Sequence, residues 1–300
     1  MTDLLSINIG IDPNLGRIFG LLISWHGVFT AIGIIAGVWL AVAIASSDRI
    51  RIDPDTAYTL GMIVVGCGIV GARALYVIEN YGDNTSIDSV VDIFRITEGG
   101  ISIYGAIIGG AIGGWAWGLW KKLPCAAGAD AAAFAMLLGL AIGRIGDIIN
   151  GEHFAKASDL PWAVAYTNPL SPGFEHFISV GPTHPAVAYE LIGDLVILGI
   201  LALMWRMRPK SGVIFASAFL LYAVMRFFVS FLRLDSEEPL LGLSTPQLAS
   251  VAVIIVATPL LAFFALRKEP ELPPSLAEQR ARNRDAISRA ERRRRLHTGP

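Results

Sequence analysis

The sequence predicts an all-α integral membrane protein with about seven transmembrane helices. Of its 300 residues, 54% are hydrophobic and only 16% are charged, a balance far from that of an ordinary soluble domain. Seven segments are predominantly apolar over about 18 to 25 residues, the length that crosses a hydrocarbon core of roughly 30 Å. These segments lie near residues 20–45, 57–79, 101–120, 129–149, 185–206, 212–232 and 246–267.

The third and fourth segments are rich in Gly and Ala rather than Leu, which favours close packing against neighbouring helices. The first segment begins after a polar, acid-containing start and has neither a basic flank nor an obvious small-residue cleavage site. We therefore expect it to be a retained span and not a removed signal peptide.

The distribution of Lys and Arg predicts the orientation, because basic residues concentrate on the cytoplasmic side of a membrane protein. From the N-terminal segment through successive connections to the tail, they number 1, 2, 1, 2, 1, 3, 1 and 10, with Arg206 and Arg267 at the span ends counted in the adjoining connection and tail. This alternation predicts an outside N-terminus and a cytoplasmic C-terminus. The chain then divides into a periplasmic segment (1–19), a transmembrane domain (20–267) and a basic cytoplasmic tail (268–300).

Several kinds of chemistry have no support in the sequence. It contains no P-loop, no GxGxxG after a strand and no HExxH, which removes the usual signals for nucleotide and zinc binding. Cys67 in the second segment and Cys125 on the predicted cytoplasmic side are not placed to form a disulfide, and neither makes a metal motif with a histidine. We predict no metal, no cofactor and no nucleic-acid partner.

Three arginines, Arg73, Arg144 and Arg226, fall inside apolar segments. An arginine in the bilayer interior costs about 2.5 to 3.5 kcal/mol even on a lenient scale, so it usually faces a cavity, a partner or the interface. The three belong to the second, fourth and sixth segments and lie five or six residues from the predicted outer ends. We therefore expect them at a similar depth in the outer half of the membrane.

Structural roles are the alternative for these arginines: Arg73 could pair with Glu79, and Asp147 or Glu152 could be simple partners of Arg144. Three guanidinium groups at one depth, however, exceed what two nearby carboxylates need. A guanidinium pair is well shaped to bind a phosphate through two parallel hydrogen bonds. In a membrane the commonest phosphate belongs to a lipid.

Other polar residues gather at the predicted outer ends of the segments. They are His26, Ser102, Tyr104, His184, Tyr189, Glu190, Ser244 and Gln247. The predicted outer connection 150–183 is also the longest. His26 alone could be an interfacial residue with no further role, but the set as a whole predicts that the protein works at its outer face.

Seven stretches of the chain, taken in order, resemble the prolipoprotein diacylglyceryl transferase family over about residues 20–265. They read "ISWHGVFTAIGIIAG", "GARALYVIEN", "EGGISIYGAIIGG", "GRIGDIINGE", "HPAVAYE", "YAVMRFFVSFLR" and "LSTPQLAS". No single stretch is decisive. Seven in the same order, each at the expected end of one of seven spans, make the resemblance specific.

The resemblance implies an enzyme of the bacterial inner membrane with its active site towards the outer face. Such an enzyme moves the diacylglyceryl group from phosphatidylglycerol to the lipobox cysteine thiol of a preprolipoprotein and releases glycerol 1-phosphate. The implied partners are phosphatidylglycerol, the hydrophobic signal peptide that carries the lipobox cysteine, and membrane lipid.

The resemblance also implies roles for individual residues. Arg144 and Arg226 correspond to two arginines central to headgroup binding and catalysis, and Tyr222, one helical turn before Arg226, matches a family tyrosine. Tyr104 falls where some members have His and others Tyr. The candidate catalytic residues are Arg144, Arg226, Tyr104 and Glu152, and the candidate substrate-binding residues are Arg73, Asp147, Asn150, Gly151, His184, Tyr222 and His26.

The residue types suit this reaction. A free thiol has a pKa of about 8.5 and must lose its proton to attack, and the lipid must lose a phosphate-bearing leaving group from carbon. Cationic donors over that phosphate stabilise the developing charge. The base is left open among Tyr104, Glu152, His184 and His26.

The sequence departs from the family pattern at several positions. Asp147 replaces the Asn of "GRxGNFxNGE", His26 stands where Tyr is usual, Ala155 and Ser230 replace a Gly and a Glu, and "HPAVAYE" replaces "HPxQLYE". The carboxylate of Asp147, one turn from Arg144, could neutralise charge meant for the phosphate. A divergent or inactive lipid-binding paralogue is therefore an alternative, and a small-solute transporter is less favoured because the halves show no repeat.

Overall fold

The computed structural model describes residues 6–18, 21–81, 91, 93, 100–234 and 242–268, with isolated positions at 274, 278, 284 and 285. Nearly all of the predicted basic tail lies outside the described residues. The chain forms two compact units. One contains Met1–Leu40 and Ala129–Glu269, and the other contains Ala41–Gly128 and Pro270–Pro300.

Helices account for most of the described chain. In order they are α1 (Trp25–Ala45), α2 (Pro54–Asn80), α3 (Ile103–Trp120), α4 (Cys125–Asn150), α5 (Gly173–Val180), α6 (Ala186–Arg206), α7 (Val213–Val229) and α8 (Thr245–Leu266). Among the described residues, six of these helices are long and apolar enough to cross a membrane: α1, α2, α4, α6, α7 with its continuation to Leu232, and α8. They confirm a mostly helical, multi-pass membrane protein.

The predicted third span corresponds to α3, which is not one of the six. This helix has 18 residues, six of them glycine, so it carries less apolar side chain than its neighbours. α5 is a short helix within the long connection between α4 and α6 and was not predicted.

Four short strands accompany the helices in the described part of the chain, so the all-α prediction misses a small β component. β1 (Ser6–Ile9) pairs in parallel with β4 (Ala163–Tyr166), and β2 (Asn14–Ile18) pairs in antiparallel fashion with β3 (Leu21–Ser24). Ile9, Val164 and Tyr166 form a small buried cluster against which Ile148 of α4 packs. The N-terminal segment and the connection after α4 are thereby fixed to the end of α4.

Glycines allow α2 and α3 to pack backbone to backbone within the second unit. A Cβ atom on Gly105 would overlap the carbonyl oxygen of Gly71, and one on Gly109 would lie 2.9 Å from Gly71 Cα. Arg73, which is buried, donates to the carbonyl oxygens of Ile93 at 2.9 Å and Gly100 at 2.6 Å. These bonds hold Ile93 and Gly100 against α2.

Gly105→Ala is expected to lower the free energy of unfolding by about 1 to 3 kcal/mol, because the added methyl group must separate two packed backbones. Gly66→Ala in α2 is the matched control, since nothing lies within 4 Å of a Cβ atom there. The apparent unfolding temperature in detergent measures both effects. Equal unfolding temperatures for the two variants would contradict the close approach.

Candidate active site

Arg144 and Arg226 are placed at one level by a contact near the other ends of their helices. The buried carboxylate of Asp130 in α4 accepts hydrogen bonds of 2.8 Å from the backbone amides of Gly212 and Phe215, at the start of α7. Arg144 follows Asp130 by 14 positions, and Arg226 follows Gly212 by the same 14 positions. At about 1.5 Å per residue, both arginines lie roughly 21 Å along their helices from this shared contact.

Three guanidinium groups converge on one carboxylate, that of Glu190 near the start of α6. Arg144 forms an ion pair with Oε2 of Glu190, and Arg226 donates to Oε1. Arg233 follows the 3-10 turn Ser230–Leu232 and donates to the same Oε1 at 2.9 Å. Glu190 is fully buried, and such a carboxylate remains charged only where cationic donors surround it.

A second carboxylate, that of Asp147, joins Arg144 to His26. Oδ2 of Asp147 accepts a hydrogen bond of 3.0 Å from Arg144, and Oδ1 lies 2.5 Å from Nδ1 of His26. Nε2 of His153 lies 3.8 Å from Oδ2. Asp147 is buried, whereas the side chain of His26 is 44% exposed. Asp147 therefore connects the buried Arg144 to the accessible imidazole of His26.

The arginine cluster, defined here as Arg144, Arg226, Arg233, Glu190 and Asp147, retains binding capacity for an anion. Three guanidinium groups form ion pairs with two carboxylates, so the ion-paired groups of the cluster carry one positive charge in excess. Asp194 is also buried in α6, and its oxygens have no hydrogen-bond partner among the described residues. Nε of Arg144 is buried and has no hydrogen-bond partner among the described residues. An unsatisfied buried donor beside an excess positive charge suits a monoanionic phosphodiester.

Comparison with known proteins shows the family to which the chain belongs. The family model described as "Prolipoprotein diacylglyceryl transferase" matches residues 13–263. The chain belongs to the prolipoprotein diacylglyceryl transferase family.

Relatives named phosphatidylglycerol–prolipoprotein diacylglyceryl transferase occur in several bacteria. The protein from Clostridioides difficile is 32% identical over 73% of this chain and 82% of its own length. The one from Finegoldia magna is 34% identical over 79% and 90%, and the one from Dehalococcoides mccartyi is 31% identical over 88% and 97%.

The family motif "NGE" is explained by how α4 ends. Gly151 adopts a left-handed conformation with φ of 74°, and its amide donates to the carbonyl oxygen of Asp147 at 3.0 Å. A Cβ atom at Gly151 would lie 2.6 Å from the Tyr166 ring, so only glycine fits. The carbonyl oxygen of Asn150 accepts a hydrogen bond of 3.0 Å from Ser171. Asn150 and Gly151 thus hold the connection after α4 against the end of that helix. Oε1 of Glu152 lies 3.7 Å from Nδ1 of His26.

Tyr166 at the end of β4 also contacts the end of α4. Its hydroxyl donates to the carbonyl oxygen of Ile148 at 3.0 Å. Burial, with a smaller contribution from the negative charge of Asp147, raises the pKa of Tyr166 to about 12. The fold therefore favours the neutral phenol.

The protein is expected to lose stability between about pH 10 and pH 12, and Tyr166→Phe is expected to lose less. An unfolded tyrosine has a pKa of about 10, so the contribution of Tyr166 is complete below pH 10 and is lost as the pH rises towards 12. The difference corresponds to about 2 to 3 kcal/mol. Apparent unfolding temperatures of both proteins across this range measure it, and parallel curves would contradict the assignment.

Two residues that differ from the family pattern, Ala155 and Ser230, fit their surroundings in this chain. Ala155 is buried and forms an antiparallel bridge with Arg233, so the backbone of this connection helps to place the third guanidinium. Ser230 is also buried, and its hydroxyl donates to the carbonyl oxygen of Arg226 at 2.7 Å. A small side chain at each position is compatible with the close packing there.

The other candidates divide between the two units. His184 precedes α6 in the first unit, and its Nδ1 is buried without a partner among the described residues. Tyr222 lies in α7 one turn before Arg226. Arg73 and Tyr104 belong to the second unit, where Arg73 binds backbone carbonyls as described and Tyr104 is 41% exposed at the start of α3. Substrate contact by these four residues stays a prediction.

Three residues of the site had no predicted role: Glu190, Arg233 and His153. Nδ1 of His153 accepts a hydrogen bond of 2.8 Å from Arg233, which turns its other ring nitrogen towards Asp147. Glu190 was predicted only as one of the polar residues at the outer ends of the segments, although it is an acid within the family stretch "HPAVAYE". Arg233 follows Arg226 by seven residues, a spacing that would place both on one face of a continuous helix. In the structure α7 ends at Val229, and the 3-10 turn Ser230–Leu232 leads to Arg233.

His26, Asp147 and Glu152 also have the spacing of metal ligands, since their donor atoms lie within 4.8 Å of one another. Asp147 already accepts from Arg144, so a cation here would face a guanidinium group bound to the same carboxylate. This contact disfavours metal binding, and the predicted lack of a metal stays a prediction.

Proposed function

We propose that this chain transfers the diacylglyceryl group of phosphatidylglycerol to the lipobox cysteine thiol of preprolipoproteins, forming a thioether and releasing glycerol 1-phosphate. Membership of the family and the names of the relatives support this function. The observation that carries it is the arginine cluster, with its excess positive charge and its unsatisfied buried donor.

Phosphatidylglycerol suits this cluster because its headgroup is joined through a monoanionic phosphodiester. Binding of the phosphate oxygens by Arg144 and Arg226 would place the adjoining glycerol carbon of the diacylglyceryl group beside the cluster. As the bond between that carbon and the phosphate oxygen breaks, the leaving phosphate gains negative charge. Guanidinium groups already fixed by Glu190 stabilise this charge without reorganising.

The proposed topology has seven spans, with α3 as the third, an outside N-terminus and a cytoplasmic C-terminus. The cluster is built where α4 and α7 end and where α1 and α6 begin, which is the outer side of the bacterial inner membrane in this topology. That side suits a substrate whose signal peptide spans the membrane with its cysteine near the outer surface. Residues 20–267 form the catalytic domain, and residues 268–300 form a basic cytoplasmic tail.

The direct test uses the purified full-length protein in vesicles of phosphatidylglycerol with a synthetic lipobox peptide. Mass spectrometry should detect the peptide with one added diacylglyceryl group, and vesicles of phosphatidylcholine alone should give none. The Clostridioides difficile relative is the positive control. No addition by this chain while the relative is active would overturn the enzymatic function. Stabilisation of that inactive protein by phosphatidylglycerol would then favour a lipid-binding role.

A further inference from the structure

We propose that His26 is the general base that deprotonates the lipobox cysteine, and that Asp147 is the positioning residue that orients its imidazole. This inference rests on the proposed transferase function. It assigns a role to two departures from the family pattern, His26 for Tyr and Asp147 for Asn, which the structure places in contact.

The hydrogen bond between the two residues determines which ring nitrogen of His26 can accept a proton. Oδ1 of Asp147 accepts, so Nδ1 of His26, 2.5 Å away, carries the hydrogen. The neutral ring then has its lone pair on Nε2, which has no hydrogen-bond partner among the described residues. With 44% of the side chain exposed, this nitrogen is open to a substrate. A carboxylate that orients an imidazole also stabilises the imidazolium that forms when the proton is taken up.

The position of the pair is fixed by a close approach of two helices. A Cβ atom on Gly146 in α4 would lie 2.8 Å from Cα of His26 and 3.0 Å from the carbonyl oxygen of Trp25. Glycine at 146 therefore allows the first turn of α1 to contact α4 next to Asp147. The same carboxylate holds Arg144 through its other oxygen at 3.0 Å. One side chain thus connects the proposed base to a guanidinium that is proposed to bind the phosphate.

The neighbouring groups are less suited to this role. His153 accepts from Arg233 at Nδ1, so its neutral ring carries a hydrogen on Nε2 and has no free lone pair. His184 lacks a carboxylate partner among the described residues, and its Nδ1 is buried. Glu152 lies 3.7 Å from Nδ1 of His26 and increases the negative charge around the imidazole.

Nε2 of His26 takes the proton of the cysteine S–H group, and the resulting thiolate attacks the glycerol carbon that bears the phosphate. A carbon–sulfur bond forms, the carbon–oxygen bond breaks, and the electron pair of that bond leaves with the phosphate oxygen of glycerol 1-phosphate. The proton on His26 then passes to the released phosphate or to water, which restores the neutral imidazole.

The test compares His26→Gln with the unaltered protein on two peptides, one with the lipobox cysteine and one with selenocysteine in its place. A selenol ionises at a lower pH than a thiol and needs no base. His26→Gln should lower kcat about 10² to 10⁴-fold on the cysteine peptide and much less on the selenocysteine peptide. His176→Gln is the matched control, because Nε2 of His176 donates to the carbonyl oxygen of Ala155 at 2.9 Å and, among the described residues, His176 makes no hydrogen bond to His26 or Asp147.

Asp147→Asn and the double variant test the coupling. If Asp147 acts through His26, the cysteine-peptide loss caused by Asp147→Asn should largely vanish in the His26→Gln background. Equal losses on both peptides for His26→Gln, or fully additive effects in the double variant, would overturn the proposal. If His26→Gln only destabilised the protein, the rates on the two peptides would fall by the same factor, and this result would count against the proposal. An inactive unaltered protein would instead overturn the transferase function, and this inference with it.

Discussion

Arg226→Gln is expected to lower diacylglyceryl transfer by about 10² to 10³-fold. Its guanidinium is held by Glu190 at the level of Arg144, so glutamine removes the charge and one arm of the proposed phosphate site. Loss of one preorganised donor at a developing charge has an effect of this size. Arg226→Lys should recover little, because an ammonium group lacks the planar pair of donors.

Initial rates of peptide lipidation in phosphatidylglycerol vesicles measure this effect, with kcat and KM determined separately. Arg206→Gln is the matched control, since Arg206 is exposed in the last turn of α6. A value of kcat within threefold of the unaltered protein would show that Arg226 has a structural role only. A change confined to KM would mean that it binds the lipid equally well before and during the reaction.

Glu190→Gln is expected to have the largest effect on stability, about 3 to 5 kcal/mol. The fully buried carboxylate is the shared partner of Arg144, Arg226 and Arg233, so its loss leaves three guanidinium groups close together without the anion that joins them. An anionic lipid can supply part of the missing charge. We therefore expect phosphatidylglycerol to stabilise Glu190→Gln more than it stabilises the unaltered protein.

Apparent unfolding temperatures in detergent, with and without added phosphatidylglycerol, measure both parts of this prediction. Glu175→Gln in α5 changes the same group on an exposed side chain and should have little effect. An unfolding temperature of Glu190→Gln equal to that of the control would show that the carboxylate is not needed to hold the cluster. Equal lipid stabilisation of all proteins would place phosphatidylglycerol outside it.

The long helices could be predicted because each is an extended apolar run, and a run of that length has few alternatives in a membrane. The strands could not. β1 and β4 have four residues each, and their pairing joins Ser6 to Ala163 in a connection that no local pattern encodes. α3 is intermediate between the predictable helices and the unpredictable strands. Its many glycines allow close packing, and the same glycines lower its hydropathy.

The site was partly predictable for a similar reason. The depth of Arg144 and Arg226 follows from their distance to the segment ends, which the sequence contains. Their shared partner depends on how α4, α6 and α7 are rotated about their axes. Hydropathy does not give this rotation, so Glu190 could be predicted only as one of several polar residues at the outer face. Asp147 was expected to compete with the phosphate for Arg144. The structure adds that its second oxygen is occupied by His26, a residue 121 positions away.

The parallel pairing of β1 with β4 has a consequence for the order of assembly during synthesis. Ser6 leaves the ribosome well before its partner Ala163, which is made only after α1 to α4. Strand β1 therefore cannot pair with β4 until these four helices have been synthesised. Because β4 also carries Tyr166, which packs over Gly151 at the end of α4, the covering of the active site is completed late. A nascent chain arrested before residue 163 should hold its first helices in the membrane but lack a closed site.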